Sequence, residues 1–375
     1  MRIAFISTVL DYPWGGADAL WTQAAEAAAL RGDELLLAIS PLTAAHSRIA
    51  ALRARGARVV ERSAPRYPGH RWSRAWKAFR CRLGSRDPLV AQISGFRPDL
   101  IVFSLGGTYD LVLYRSLAAW MLATRVRFRI IANFQHEHPH LVPADLVFTR
   151  TLFAAASSVN FVSTRNLEVT RRHLVASLPN ARVIQNPLRW RPADVTPWLE
   201  SPVCLLATVG RLEEVKGLDL LLNALAIAGG DLPDWNLSIY GTGPQEPYLR
   251  ETAAQAGLGG RVRFRGYVGE LRAIWAENQL LCSPARDEGV PMTVPEAMLS
   301  ARPVLATAVG GAEDWLRDGV TGFLCPAPTV PLLAGTIRRA LETRAQWREM
   351  GRAAAAEAGA RQRPDDYLAL IAPDQ

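Results

Sequence analysis

The feature that most constrains this chain is a rhythm that occurs twice: short apolar runs of strand length alternate with helix-length amphipathic stretches. In the first series strands are expected near 2–8, 34–40, 57–61, 99–104, 128–134, 158–162 and 181–185, with helices between most of them. Such alternation implies a parallel sheet covered on both faces. Residues 187–202 break the rhythm, with Pro187, Pro192, Pro197 and Pro202 in a stretch without periodicity, and read as an interdomain linker. A second series follows, with strands near 203–209, 236–241, 262–265, 279–283, 303–306 and 322–324, each leading into a helix or a glycine turn. At 375 residues the chain exceeds what one hydrophobic core usually supports. The expected fold class is therefore α/β, two Rossmann-like doubly wound domains with an interdomain cleft. They would span 1–187 and 203–358, joined by 188–202, with a tail at 359–375 that is a candidate for return to the first domain.

Composition narrows the partners. Hydrophobic residues make up 49% and charged residues 21%, which fits an ordinary globular chain and excludes a disordered one. No stretch of 18 uncharged apolar residues occurs, so no transmembrane helix is expected. The N-terminal run Met1 to Leu10 is short and gives way to Asp11 and a Pro-Trp-Gly-Gly turn, so it reads as a first strand, not a signal segment. The four cysteines, Cys81, Cys204, Cys282 and Cys325, are scattered without a Cys-x-x-Cys pattern, which points to free thiols in a reducing compartment. The formal charge is +8, carried almost wholly by arginine; Lys77 and Lys216 are the only lysines. Lysine at position 216 is therefore informative, because arginine serves at nearly every other basic position.

The densest chemical signal runs from Ser283 to Met298, where Glu288 and Glu296 stand eight positions apart between a short strand and a helix opened by Pro295. In open α/β sheets ligands bind outside the carboxyl ends of the strands, where such loops and helix starts lie. Two carboxylates there would repel phosphate; they suit hydroxyl donors such as those of a sugar or ribose, while the amides of Met292 and Thr293 face an anion. The plainer reading is a helix-dipole complement at Glu296 and a solvated Glu288.

Further loops point the same way. Arg211 and Lys216 lie on the loop between the first strand of the second domain and its helix, where two cations could clamp a diphosphate, Arg through paired hydrogen bonds and Lys as a compact charge. Solvated surface cations are the plain alternative. Gly15 and Gly16 sit between the first strand and first helix and admit close approach of a ligand, or make a simple tight turn. A Gly-x-Gly-x-x-Gly fingerprint with a downstream acid is absent, which disfavours a dinucleotide dehydrogenase. After the strand ending at Phe134 come His136, His138 and His140, whose spacing admits a metal ligand set or a plain polar loop.

Gly210-Arg-Leu-x-x-x-Lys-Gly217, Tyr240-Gly-Thr-Gly-Pro244, Glu288-x7-Glu296 with Ala297-Met298, Arg302-Pro-Val304 and Gly310-Gly-x-Glu313 stand in order, and together they resemble the retaining nucleotide-sugar glycosyltransferases of family 4, with the GT-B fold. Pro13-Trp-Gly-Gly-Ala and Asn186-Pro187 fit the same family. The resemblance implies that Arg211 and Lys216 hold the donor diphosphate, that Glu296 bonds the ribose hydroxyls and that Glu288 faces the transferred sugar. It also implies that Gly15 and Gly16 approach the phosphates or acceptor, and that His136, with His138 second, faces the sugar. Gly241 belongs to the donor set, and the base is expected near Tyr267 and Val268. One departure is Pro291, where the family often has glycine; it removes a backbone donor and leaves phosphate contact to Met292 and Thr293.

The expected activity is thus transfer of a sugar from a nucleotide-diphosphate sugar to a glycan or lipid-linked acceptor, without metal or cofactor. No nucleophile is assigned. Glu288, His136, Arg211 and Lys216 are the candidates for the chemistry. The stretch 48–86 interleaves basic residues with Tyr67, Trp72, Trp76 and Phe79 and could meet an anionic membrane surface, or be a solvated face over core aromatics. Nucleic acid is not expected as a partner. The implied location is cytoplasmic, with association at the inner face of a membrane, in surface polysaccharide or cell-envelope assembly. The alternatives are a nucleotide-sugar epimerase or hydrolase on the same fold, or a non-catalytic nucleotide-sugar-binding protein.

Overall fold

The structure is a computed structural model that describes residues 1–10, 14–62, 88–137, 142–188, 195–228 and 232–373. The chain forms two compact units. The first comprises Met1–Val162, Asn166–Pro187 and Pro364–Gln375; the second comprises Ser163–Arg165 and Leu188–Arg363.

In the first unit seven strands, β1 (Arg2–Ser7), β2 (Glu34–Ile39), β3 (Arg58–Glu61), β4 (Leu100–Leu105), β5 (Arg127–Ala132), β6 (Ser158–Phe161) and β7 (Ala181–Val183), line up in the order β3-β2-β1-β4-β5-β6-β7. Every pairing is parallel. All six residues of β4 are buried, as a strand covered on both faces requires. The order reverses direction between β1 and β4, so the loops leaving those two strands diverge and open a crevice at their carboxyl ends. The helix Gly16–Leu30 returns from β1 and buries Leu20, Trp21, Ala24, Ala25 and Ala28, the alanines letting its backbone lie close to the sheet.

The end of the chain packs on this first unit. Arg129 and Arg182 each donate to the Ala369 carbonyl at 2.8 Å, Arg31 donates to the Ile371 carbonyl, and the Gln185 amide donates to Asp366 at 2.8 Å. Of the basic stretch 48–86, residues 63–86 lie outside the described residues. Three arginines before it have local partners: Arg48 with Glu26 at 2.6 and 2.7 Å, Arg53 with Glu61 at 2.8 Å, and Arg62 with the Tyr114 hydroxyl at 2.5 Å.

The second unit has six strands, β8 (Cys204–Val209), β9 (Trp235–Tyr240), β10 (Val262–Gly266), β11 (Leu280–Ser283), β12 (Val304–Thr307) and β13 (Gly322–Cys325), in the order β10-β9-β8-β11-β12-β13. All pairings are again parallel. One face is covered by Leu221, Leu222 and Leu225 with Ile337, Leu341 and Trp347, the other by Trp275, Val294, Met298 and Trp315. Here the reversal falls between β8 and β11. The thiols of Cys204, Cys282 and Cys325 are buried and free; burial pushes that of Cys282 up to about 12.

Arg302 is fully buried and acts as a staple. Its guanidinium donates to the carbonyls of Trp275 and Asn278 at 2.5 to 3.1 Å, of Ser300 and Thr196 at 3.0 and 3.1 Å, and of Pro197 at 2.7 Å. A buried charge is tolerated only when its donors are satisfied, and here peptide dipoles do so. Desolvation lowers its pKa to about 10, which leaves it charged at neutral pH. The staple fastens residues 196 and 197, within the stretch read as linker, to the second unit; residues 189–194 lie outside the described residues.

One further difference from the sequence reading concerns a helix. The helix after Glu288 spans Thr293–Leu299, so Pro295 is its third residue and not its first. A first-turn N–H has no intrahelical acceptor, so the proline costs nothing there. The helix after Lys216 spans Leu218–Ala228. Among the described residues no helix is long and apolar enough to cross a membrane.

Candidate functional site

The switch point of the second sheet brings together Lys216 and Glu288, two of the residues that the sequence singles out. Strands β8 and β11 are neighbours, paired Leu280 to Leu206 and Leu281 to Ala207, so the loops that leave them rise side by side. The β8 loop makes a single 3₁₀ turn, Glu214–Lys216, and ends at Gly217 with φ of 65°. That left-handed backbone favours glycine, and a Cβ there would lie closer to the Pro284 carbonyl oxygen than real Cβ atoms approach. Glycine therefore lets the two loops touch backbone to backbone. A second glycine closes the other flank: Gly310, φ 51°, lies against the Glu288 carbonyl, and the Gly311 amide donates to the Gly289 carbonyl at 2.8 Å.

These contacts put Lys216 and Glu288, 72 positions apart in sequence, into a direct ion pair. The pair is largely sheltered, with side chains 25% and 14% exposed. Arg211 bonds to Glu213 at 2.7 Å and is 45% exposed. Glu296, 8% exposed, sits in the first turn of its helix beside Met292 and Thr293. Gly241 donates its amide to the Gly266 carbonyl at 2.8 Å, Tyr267 stands 79% exposed on the following loop, and Val268 packs against the core.

Sequence reasoning missed the residue that ties the two loops together. Arg286 donates through its backbone amide to the Val215 carbonyl at 2.8 Å and through its guanidinium to the Glu214 carbonyl at 2.9 Å. It also forks onto both oxygens of Asp219 at 2.7 and 2.6 Å. Burial pushes the Asp219 carboxyl up, but the Arg286 hydrogen bonds and charge outweigh it and hold the group below its ordinary range. A cavity of about 350 Å³ is lined by Glu214, Asp219, Gln245, Tyr248 and Arg286, none of them among the expected site residues.

In the first unit the switch point between β1 and β4 carries two acids that the sequence reading also missed, Asp110, half-buried, and Asp18, buried. Asp110 accepts from the Thr8 hydroxyl at 2.6 Å and from the Gly107 amide at 2.9 Å, while the Gly106 amide donates to Thr8 at 2.8 Å, so the two loops are knotted through one carboxylate. Desolvation raises its pKa. Asp18 accepts from the Gly15 amide at 3.1 Å and from the Trp21 indole at 3.3 Å; burial pushes its pKa up to about 6. Gly15 precedes the helix that Gly16 begins. Gly106-Gly107 directly after a strand was the available signal for this knot; a lone Asp in a helix offered none. His136, after β5, is exposed and meets the Phe134 ring edge-on at 4.5 Å. His138 and His140 lie outside the described residues, and among the described residues no cluster of three metal-ligating side chains occurs.

Two parallel, doubly wound units with loops converging at a strand-order reversal define the architecture of the GT-B glycosyltransferases. The solved structure of Anabaena HepE in complex with UDP matches 99% of this chain and 98% of its own, with a TM-score of 0.74 and 19% identity. Sucrose-phosphate synthase from Thermosynechococcus elongatus matches 99% and 97%, with a TM-score of 0.72 and 20% identity. Residues 204–343, in the second unit, match the family model of the glycosyl transferases group 1. An uncharacterised glycosyltransferase of Haemophilus influenzae is 31% identical over 143 residues, 38% of this chain and 40% of that protein. A D-inositol 3-phosphate glycosyltransferase of Streptomyces avermitilis is 30% identical over 235 residues, 57% and 51%. The chain thus spans about half or less of the length of these relatives.

Proposed function

We propose that this protein is a retaining glycosyltransferase that moves a sugar from a nucleotide-diphosphate sugar to a glycan or lipid-linked acceptor without a metal ion. The observation that carries the reading is the Lys216–Glu288 pair at the β8/β11 switch point, on the group 1 domain. As the donor bond breaks, negative charge builds on the leaving diphosphate and positive charge on the sugar ring. A cation and an anion already fixed side by side match that separation, and preorganised charge of this kind needs no reorganisation during the reaction. In this assignment Lys216 and Arg211 take the diphosphate, with the amides of Met292 and Thr293; Glu296 accepts from the ribose hydroxyls; Glu288 faces the transferred sugar. Gly241, Tyr267 and Val268 border the base and ribose. Arg211 pairs with Glu213 and Lys216 with Glu288, so in this assignment donor binding exchanges a carboxylate for phosphate at each cation. The HepE complex with UDP makes uridine nucleotides the first donors to test.

Release of nucleoside diphosphate from a panel of nucleotide sugars, assayed with EDTA present, tests the reading. Turnover of at least one donor, lost in Lys216→Ala with the fold intact, is expected. Turnover that requires a divalent metal, or that survives Lys216→Ala unchanged, would refute the assignment. A glycoside hydrolase on this fold would need two carboxyls flanking a scissile bond and leaves Arg211 and Lys216 without a task.

A further inference from the structure

We propose that Arg286 is a positioning residue that sets the geometry of the Lys216–Glu288 pair by clasping Asp219. The inference rests on the donor-site reading above. Arg286 precedes Glu288 by two residues, and its four hydrogen bonds reach residues 214, 215 and 219, which flank Lys216 on both sides in the chain. Lys216 belongs to a single turn that ends in a glycine, and nothing within so short a turn can fix where its ammonium stands. The fork of Arg286 supplies that constraint from outside. A bidentate guanidinium–carboxylate pair fixes both distance and plane, which an ammonium in its place would not. The clasp is partly sheltered, Arg286 being 32% and Asp219 20% exposed, so solvent screens it less than an ordinary surface pair. Asp219 is the second residue of the helix Leu218–Ala228, whose Leu221, Leu222 and Leu225 are buried in the core, so the clasp refers the loop to the core of the unit.

Arg286 and Asp219 then form one device, and their effects on the site must not add. The test is a double-mutant cycle of Arg286→Lys and Asp219→Asn, with affinity measured calorimetrically for whichever of UDP, GDP, ADP and dTDP binds the wild type most tightly. Far-ultraviolet circular dichroism is recorded for each variant. Each single substitution is expected to weaken binding about tenfold, and the double variant to match the singles, as residues sharing one network do. A double variant weakened by the product of the two single effects would overturn the proposal, because Arg286 and Asp219 would then act independently and not as one clasp. Wild-type affinity in a folded Arg286→Lys would overturn it while leaving the donor site standing. Failure of all four nucleotides to bind the wild type would overturn both.

Discussion

Replacement of Glu288 by glutamine separates the two tasks assigned to that carboxylate. Glutamine keeps the shape and one acceptor but removes the charge that holds Lys216. At about 4 Å and an effective dielectric near 20, the attraction is about 4 kcal/mol in gross terms. Most of that is cancelled by dehydration, and exposed pairs retain only up to about 1 kcal/mol. With side chains 25% and 14% exposed, the Lys216–Glu288 pair belongs above that level, at about 1 to 2 kcal/mol. A diphosphate that takes Lys216 must displace this interaction, and it must also approach the Glu288 charge. Glu288→Gln is therefore expected to tighten nucleoside diphosphate binding by about 5- to 30-fold, the factor equivalent to that energy. Sugar transfer should fall by about tenfold or more, since a hydrogen bond to a charged group is lost where the ring develops positive charge. Isothermal titration calorimetry with UDP and steady-state turnover, run on the same preparation, give both numbers. Nucleoside diphosphate binding that is unchanged or weaker in a folded Glu288→Gln would refute the reasoning, because Lys216 would then not be the group that the nucleotide competes for.

Gly217→Ala is expected to cost about 1 kcal/mol from the left-handed backbone alone, with more from collision with the Pro284 carbonyl; the two loops must part, so activity should fall more than thermal stability does. Arg302→Met should destabilise the second unit by about 3 kcal/mol or more, since it strips five carbonyls of their donor, and urea unfolding monitored by tryptophan fluorescence reads it. A loss below about 1 kcal/mol would show that water replaces the guanidinium there. Burial raises the Asp18 carboxyl from 3.8 to about 6, so the fold favours its protonated form. Its contribution is complete below about pH 4 and is lost as pH rises through 6, amounting to about 3 kcal/mol. Asp18→Asn should remove that part of the pH dependence of first-unit stability between pH 4 and 7; identical profiles for the two proteins would exclude it.

The fold was largely legible because parallel strands buried on both faces are continuous apolar runs, and every strand of both sheets stands within two residues of its expected place. Helix starts were less so: Pro295 marked the Glu296 helix two residues late, because a proline is tolerated anywhere in a first turn. The convergence of Lys216 and Glu288 was legible through loop chemistry, since glycines and charges at strand ends announce a switch point. The Arg286–Asp219 clasp was not, because an ion pair 67 residues apart leaves no local pattern, and Arg286 is one of many arginines in this chain. Arg302 was read as part of a motif, whereas its six hydrogen bonds to carbonyls show it holding the backbone together. A buried acid such as Asp18 looks like a surface residue in a sequence, because only the fold decides which carboxylates lose their water.

Whether the β8 and β11 loops form one diphosphate-binding site around Lys216 is decided by calorimetric titration of UDP, GDP, ADP and dTDP into the wild type and Lys216→Ala, in buffer containing EDTA. At least one nucleotide is expected to bind the wild type without metal and to bind Lys216→Ala about 10- to 100-fold more weakly, as loss of a charge-assisted hydrogen bond requires. Equal affinity in the two proteins would contradict it.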